Sequence, residues 1–174
     1  MAADTSITLQ LLFPDEKSIA ALDLSSLIFD LNKIYVLALS FPEGEYGSIR
    51  EFRDYERSSY RLSQDSRLDV GRIRFESPGI IDLTTVAAGG ASAIWFLVQT
   101  LEKLRSWPLN REKLRLEVLK LEREIGRTSQ RIRPARIEPF LSWPEVRSAI
   151  KHLEMNSLKA SEIGVTLGSA INRD

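Results

Sequence analysis

The sequence contains no cysteine and a single histidine, and each scarcity removes a class of chemistry. Without cysteine the chain has no disulfide framework, no thiol nucleophile and no Cys-based zinc, haem or iron–sulfur site. A reducing, intracellular compartment fits this composition. His152 lies on a predicted short amphipathic helix with no serine nucleophile arranged around it. We therefore expect a surface histidine and not a catalytic one.

Sequence motifs for binding metals, cofactors and phosphates are also missing. No Asp-x-Asp or Glu-x-x-His pair occurs at metal-ligand spacing. The glycines form neither G-x-G-x-x-G nor a P-loop, and the stretch from Gly44 to Gly47 carries Glu45 where a phosphate clamp would need lysine. The sequence predicts no catalytic residue, no cofactor-binding residue and no metal site.

Charge is balanced overall, with 24 basic and 24 acidic residues, but it is ordered along the chain. Residues 1–102 hold 9 basic and 15 acidic side chains, whereas residues 103–136 hold 11 basic and 4 acidic ones. This order indicates either an internal match between the two regions or an anionic partner. The N-terminus lacks a basic leader followed by an apolar core, so we expect no secretory signal. A cytoplasmic location is predicted, peripheral to the inner face of a membrane if the chain binds one.

An uncharged run of nineteen residues, Leu83 to Leu101, is the most prominent feature that is present. Its length suffices to cross a hydrocarbon core, which takes about 20 apolar residues, but its hydroxyl and amide side chains lower its hydropathy. The first half consists of small residues, and Gly89 with Ala93 forms a small-xxx-small pair. The second half has apolar residues at helical spacing. We expect this run to be buried in protein, with membrane docking or insertion as the alternative.

The spacing of apolar residues in the chain before this run predicts an α+β fold. Ile7 to Phe13 alternates as a half-buried strand, and Asp23 to Ser40 has helical spacing. Val70–Phe75 and Ile80–Val86 flank a turn signal that is typical of a hairpin. We expect a small antiparallel sheet with one long helix on it, followed by a small-residue-rich apolar helix and a charged amphipathic helix.

Three segments follow from this pattern: an α+β head over residues 1–86, the two further helices over 87–133, and a tail over 134–174. The charged helix starts near Asn110 and carries an a/d stripe of about two heptads. Pro108 separates it from the apolar helix, which predicts either a kink or an αα-hairpin. The residues of the stripe are Leu114, Val118, Leu121 and Ile125.

The tail combines an extended piece, a short helix and a strand. Ile137 to Leu141 is expected to be extended. Ser142 and Glu145 have the spacing of a capping box, and the helix after them should end near Met155. Residues 163–167 alternate as a closing strand.

Surplus apolar helix surface without catalytic motifs indicates a non-enzymatic interaction protein, an adaptor or structural component that binds a copy of itself or another protein. Its predicted contacts on the apolar helix are Ala88, Gly89, Ala93, Trp95, Leu97 and Leu101. Its predicted contacts on the charged helix are the stripe residues Leu114, Val118, Leu121 and Ile125.

A membrane-associating or membrane-inserting effector, acting through Leu83 to Trp107, is the alternative. A weak nucleic-acid binder using the basic helix is a further one, although zero net charge and a pI of about 6.6 disfavour it. Arginines and aromatics mixed from Arg50 to Arg61 could stack bases, but packing under a surface loop is preferred. The predicted contacts with an anionic partner are Lys103, Arg105, Lys113, Lys120, Arg123 and Arg127.

Overall fold

Four antiparallel strands form one sheet, and the first strand of the chain lies inside it. The computed structural model describes residues 5–14, 19–41, 66–76, 78–128 and 136–169. The strands are β1 (Thr5–Phe13), β2 (Asp69–Arg74), β3 (Gly79–Val86) and β4 (Glu162–Ser169). Their spatial order is β2-β3-β1-β4, so β1 pairs with β3 on one side and with β4 on the other.

The sheet has one apolar and one polar face because successive side chains of a strand point in opposite directions. On the apolar face, Leu9 of β1 lies opposite Leu83 of β3, and both are buried. On the polar face, the carboxylate of Asp82 accepts hydrogen bonds from Gln10 Nε2 at 2.9 Å and from Arg72 Nε at 2.8 Å. The apolar face therefore carries the core.

Two helices, α1 (Ala21–Ser40) and α2 (Ala87–Glu102), lie over the apolar face. Eleven of the 16 residues of α2 are buried, so the uncharged run is covered by the chain itself. The hydroxyl groups of Tyr35 on α1 and Thr85 on β3 are hydrogen-bonded at 2.7 Å, and burial raises the pKa of Tyr35 to about 12. Within the described part of the chain, no helix is long and apolar enough to cross a membrane.

A third helix, α3 (Arg111–Thr128), packs against both α2 and β4. The chain around Pro108 therefore forms an αα-hairpin, the second of the two predicted geometries. Glu117 of α3 is buried, and its Oε2 accepts a hydrogen bond from the backbone N–H of Val165 in β4 at 2.9 Å. Lys120 donates to the same carboxylate. A side chain thus satisfies a backbone donor of an edge strand.

The tail contains two helices, α4 (Ile137–Leu141) and α5 (Pro144–Met155). The prediction that residues 137–141 are extended is wrong, because a helical turn buries both Ile137 and Phe140. The ring of Phe140 lies 4.9 Å from that of Phe96 on α2 and 5.4 Å from that of Phe41, measured between ring centroids. Such aromatic contacts favour the helical form of this segment.

The short helix α5 has the predicted bounds but not the predicted cap. Trp143 is its N-cap residue, in an extended conformation without a side-chain cap hydrogen bond. The capping-box prediction is wrong because Ser142 ends α4, where its hydroxyl donates to the carbonyl oxygen of Pro139 at 2.6 Å.

The α+β class and the order of elements are confirmed, including the hairpin of β2 and β3, the long helix α1 and the closing strand β4. All three predicted segments contribute residues to one hydrophobic core. The stretches Gly44–Gly47 and Arg50–Arg61 lie outside the described residues.

A substitution at Gly90 tests how closely α2 packs against its neighbours. A Cβ atom at this position would lie 2.5 Å from Thr85 Cγ2 and 2.6 Å from the Tyr35 hydroxyl. We expect Gly90→Ala to lower the free energy of unfolding by about 1–3 kcal/mol through overpacking. Gly126→Ala on α3 is the matched control, since its Cβ would meet nothing within 4 Å, and it should stabilise the protein by up to about 1 kcal/mol. Urea unfolding of both variants measures these changes in the free energy of unfolding. Equal changes in the two variants would contradict the close packing around Gly90.

Substitutions of Glu117 test how much its hydrogen bond to the edge strand β4 contributes to stability. In Glu117→Ala the buried N–H of Val165 loses its acceptor, which should cost about 1–3 kcal/mol in urea unfolding. Glu117→Gln keeps a carbonyl oxygen and should recover most of that loss. The exposed Glu122→Ala serves as control and should change stability by less than about 0.5 kcal/mol. A Gln variant no more stable than the Ala variant would show that the charge, and not the acceptor, is what matters.

Candidate functional site

An apolar groove lies between α1 and the strand β2. Its volume is about 480 Å³, within the range of ordinary ligand pockets. Helix α1 forms one wall, β2 with the residue before it forms the other, and β3 contributes the floor. The lining residues are Ser25, Ile28, Phe29, Asn32, Leu68, Val70 and Leu83.

Two large apolar side chains on opposite walls of this groove face solvent. Phe29 on α1 is 54% exposed and Val70 on β2 is 43% exposed, whereas Leu83 beneath them is buried. Scattered exposed apolar residues are common on protein surfaces, but grouped ones that line a concave site mark binding surfaces. The groove can bind an apolar side chain between these two residues.

The strand β2 lies at one edge of the sheet formed by the described strands. Among the described elements, β3 is its only extensive contact. The other edge strand, β4, packs against α3 and receives a hydrogen bond from Glu117. A register shift between Val70 and Arg72 marks a bulge in β2, a feature that limits the length over which another strand can pair.

The residues predicted as contacts on the apolar helix lie mostly in the core. Ala93, Leu97 and Leu101 are fully buried, Trp95 is 7% exposed, and only Ala88 is exposed, with Gly89 partly so. Leu114, Leu121 and Ile125 of the predicted stripe are likewise buried, and Val118 is partly buried. These side chains contact the protein's own helices and sheet, and their role in association stays a prediction.

The six cations predicted to contact an anionic partner are all exposed. Three of them form ion pairs within the chain: Lys113 with Glu162, Lys120 with Glu117, and Arg127 with Glu124. The remaining three are Lys103, Arg105 and Arg123. The acidic partners weaken the positive potential of α3, and anion binding by this helix stays a prediction.

A buried carboxylate lies where α5 packs on α1. Asp30 is 1% exposed, its Oδ1 lies 3.6 Å from Nδ1 of the half-exposed His152, and its Oδ2 has no hydrogen-bond partner among the described residues. Burial raises the pKa of Asp30, and the nearby His152 and Lys33 oppose that rise. No described hydroxyl is hydrogen-bonded to the imidazole, so the pair lacks the nucleophile of a catalytic triad.

No group of three or more His, Asp or Glu side chains within the described ranges could hold a metal ion. The outer row of Arg72, Asp82 and Gln10 is internally hydrogen-bonded. The groove itself has mostly apolar walls, and one of them is an edge strand of the described sheet. Apolar contact and strand pairing of this kind suit a peptide chain.

The groove was not predicted from the sequence, although one signal was present. The helical stripe of α1 includes Leu27, Leu31 and Ile34, all buried, and Phe29 falls outside it. An aromatic residue off the buried stripe of an amphipathic helix indicates a surface contact. The pairing of this residue with Val70 depends on tertiary structure and could not be foreseen.

Comparisons with protein-family models, with curated proteins and with solved structures find no match to this chain.

The buried carboxyl group of Asp30 leads to a prediction about how the stability of the fold depends on pH. A carboxyl group whose pKa is raised on folding stabilises the fold below its ordinary value of 3.8, and this contribution is lost as pH rises through the folded pKa. We expect Asp30→Asn to raise the melting temperature at neutral pH, with the gain shrinking toward pH 3. Thermal unfolding across pH measures this, with the exposed Glu138→Gln as control. A variant less stable than the wild type at neutral pH would mean that the contact with His152 outweighs the cost of burial.

Proposed function

We propose that the protein is a non-enzymatic interaction module that binds an extended apolar segment of a partner protein in the groove between α1 and β2. The observation that carries this proposal is the groove itself, with Phe29 and Val70 exposed on opposite walls and an edge strand of the described sheet as one wall. An adaptor or structural role follows from such binding.

Strand addition is the recognition mode that this geometry supports. An added strand gains backbone hydrogen bonds from the sheet edge, and its alternate side chains enter a pocket beside that edge. Here the pocket lies under α1, so side chains on one face of the segment would pack on Phe29 and Ile28. The bulge in β2 restricts pairing to a short segment.

The chemistry of the rim favours an uncharged segment. Arg72 pairs with Asp82 and Arg74 pairs with Glu76, so the arginines of β2 are already neutralised. The lining contains apolar side chains with Ser25 and Asn32 as its polar members. We therefore expect specificity for alternating apolar residues, with few charges in the segment. The cytoplasmic location of the protein stays a prediction from the sequence.

Selection from a displayed random-peptide library tests this proposal. We expect the wild-type protein to enrich short segments with alternating apolar residues, and Phe29→Glu to lose binding by at least about tenfold, since burying an unpaired charge costs several kcal/mol. Leu22→Glu is the matched control, because Leu22 lies on the same helix, is 78% exposed and does not line the groove.

Amide chemical shifts should locate the bound peptide. Binding should change the signals of residues 69–74 on β2 and of residues 25–32 on α1. Failure to enrich any pattern, equal loss in both variants, or shift changes confined to α3 would each contradict a binding site in this groove.

A further inference from the structure

The outer face of α3 carries a second, unburied stripe. Glu112, Leu116, Leu119 and Arg123 follow one another at spacings of 4, 3 and 4, and all four are exposed. Leu116 is 59% exposed and Leu119 is 48% exposed. At about 3.6 residues per turn these positions lie on the side opposite to Leu114, Leu121 and Ile125. We call these four residues the outward stripe.

The outward stripe is ordered by charge, with an acid at its N-terminal end, two leucines in the middle and a base at its C-terminal end. In an antiparallel pair of identical helices centred between the leucines, Leu116 of each copy meets Leu119 of the other. The same symmetry places Glu112 of each copy against Arg123 of the other. We propose that two copies of this chain associate through the outward stripes of their α3 helices, packed antiparallel about a two-fold axis.

Charge complementarity selects this occupant and this orientation. A parallel pair would set Glu112 against Glu112 and Arg123 against Arg123, which is unfavourable at both ends. The antiparallel pair makes each of these contacts favourable, twice by symmetry. On one flank it also brings Arg115 of one copy beside Glu122 of the other, and both are exposed. On the other flank Lys113 of one copy lies near Lys120 of the other, and each of these lysines is paired within its own chain, with Glu162 and with Glu117.

The dimer is weak, and it leaves the groove free. Two leucines from each copy form a contact smaller than the roughly 1,200 Å² of stable complexes, so the copies separate at low concentration. Helix α3 packs on β4, at the opposite edge of the sheet from β2. Self-association through the outward stripe therefore stands apart from peptide binding in the groove, and either can fail without the other.

Sedimentation velocity of the full chain over a wide concentration range tests the proposal. We expect a monomer–dimer equilibrium whose dissociation constant rises about tenfold in Glu112→Arg and in Arg123→Glu, because each change creates two like-charge contacts. The double variant E112R/R123E should restore wild-type association. An equimolar mixture of the two single variants should form a heterodimer more tightly than either variant dimerises alone.

Lys151→Glu is the matched control for Arg123→Glu, since it makes the same change in charge at an exposed position on α5 and should not alter association. Circular dichroism and melting temperature establish that each surface variant is folded. A wild-type chain that stays monomeric at every concentration would overturn the proposal. So would a dimer insensitive to both single changes, and so would a double variant that associates no better than the single ones.

Discussion

The burial of α2 on nearly every side is the constraint on which the rest of the structure depends. A helix covered by a sheet and by neighbouring helices cannot carry charge, because an unpaired buried charge is strongly destabilising. The first fifteen of the sixteen residues of α2 are uncharged and meet this requirement, and Glu102 lies at the end of the helix. Gly90 is placed where Thr85 and Tyr35 leave no room for a Cβ atom. Since α1 and α3 both pack against α2, their own buried faces are determined by its position.

Within the described residues, the two edges of the sheet have different surroundings. At β4 the helix α3 contributes packing, and Glu117 supplies an acceptor for a backbone donor. At β2 the described structure has a bulge, two arginines paired with carboxylates, and a groove with exposed apolar walls. Natural proteins commonly cover or interrupt their sheet edges to prevent unwanted pairing. Here one edge is covered, and the other is shortened beside an apolar cavity.

Strongly periodic segments were predictable from the sequence, and features that depend on contacts between distant residues were not. The alternation of Ile7 to Phe13 and the helical spacing of α1 record burial directly, so both elements were foreseen. Residues 137–141 lack such a pattern, and the contact between Phe140 and Phe96 decides their conformation. The stripe of α3 was recognised as apolar, but periodicity cannot tell whether it meets its own chain or another. The groove joins Phe29 to Val70, which are forty-one positions apart. In the sequence the groove was indicated by one feature, the position of the aromatic residue Phe29 outside the buried stripe of α1.

The place of β1 inside the sheet has a consequence for the order in which the protein can fold as it is synthesised. Ser6 pairs with Gly168, so one side of β1 stays without this partner until β4 has left the ribosome. Contacts between residues so far apart in sequence form slowly, because a long loop must be closed first. During that interval the apolar row of β1 and its unpaired backbone are available to other nascent chains. Completion of the sheet is therefore a late event, and the helices α1 to α3, whose contacts with one another span shorter separations, can assemble before it.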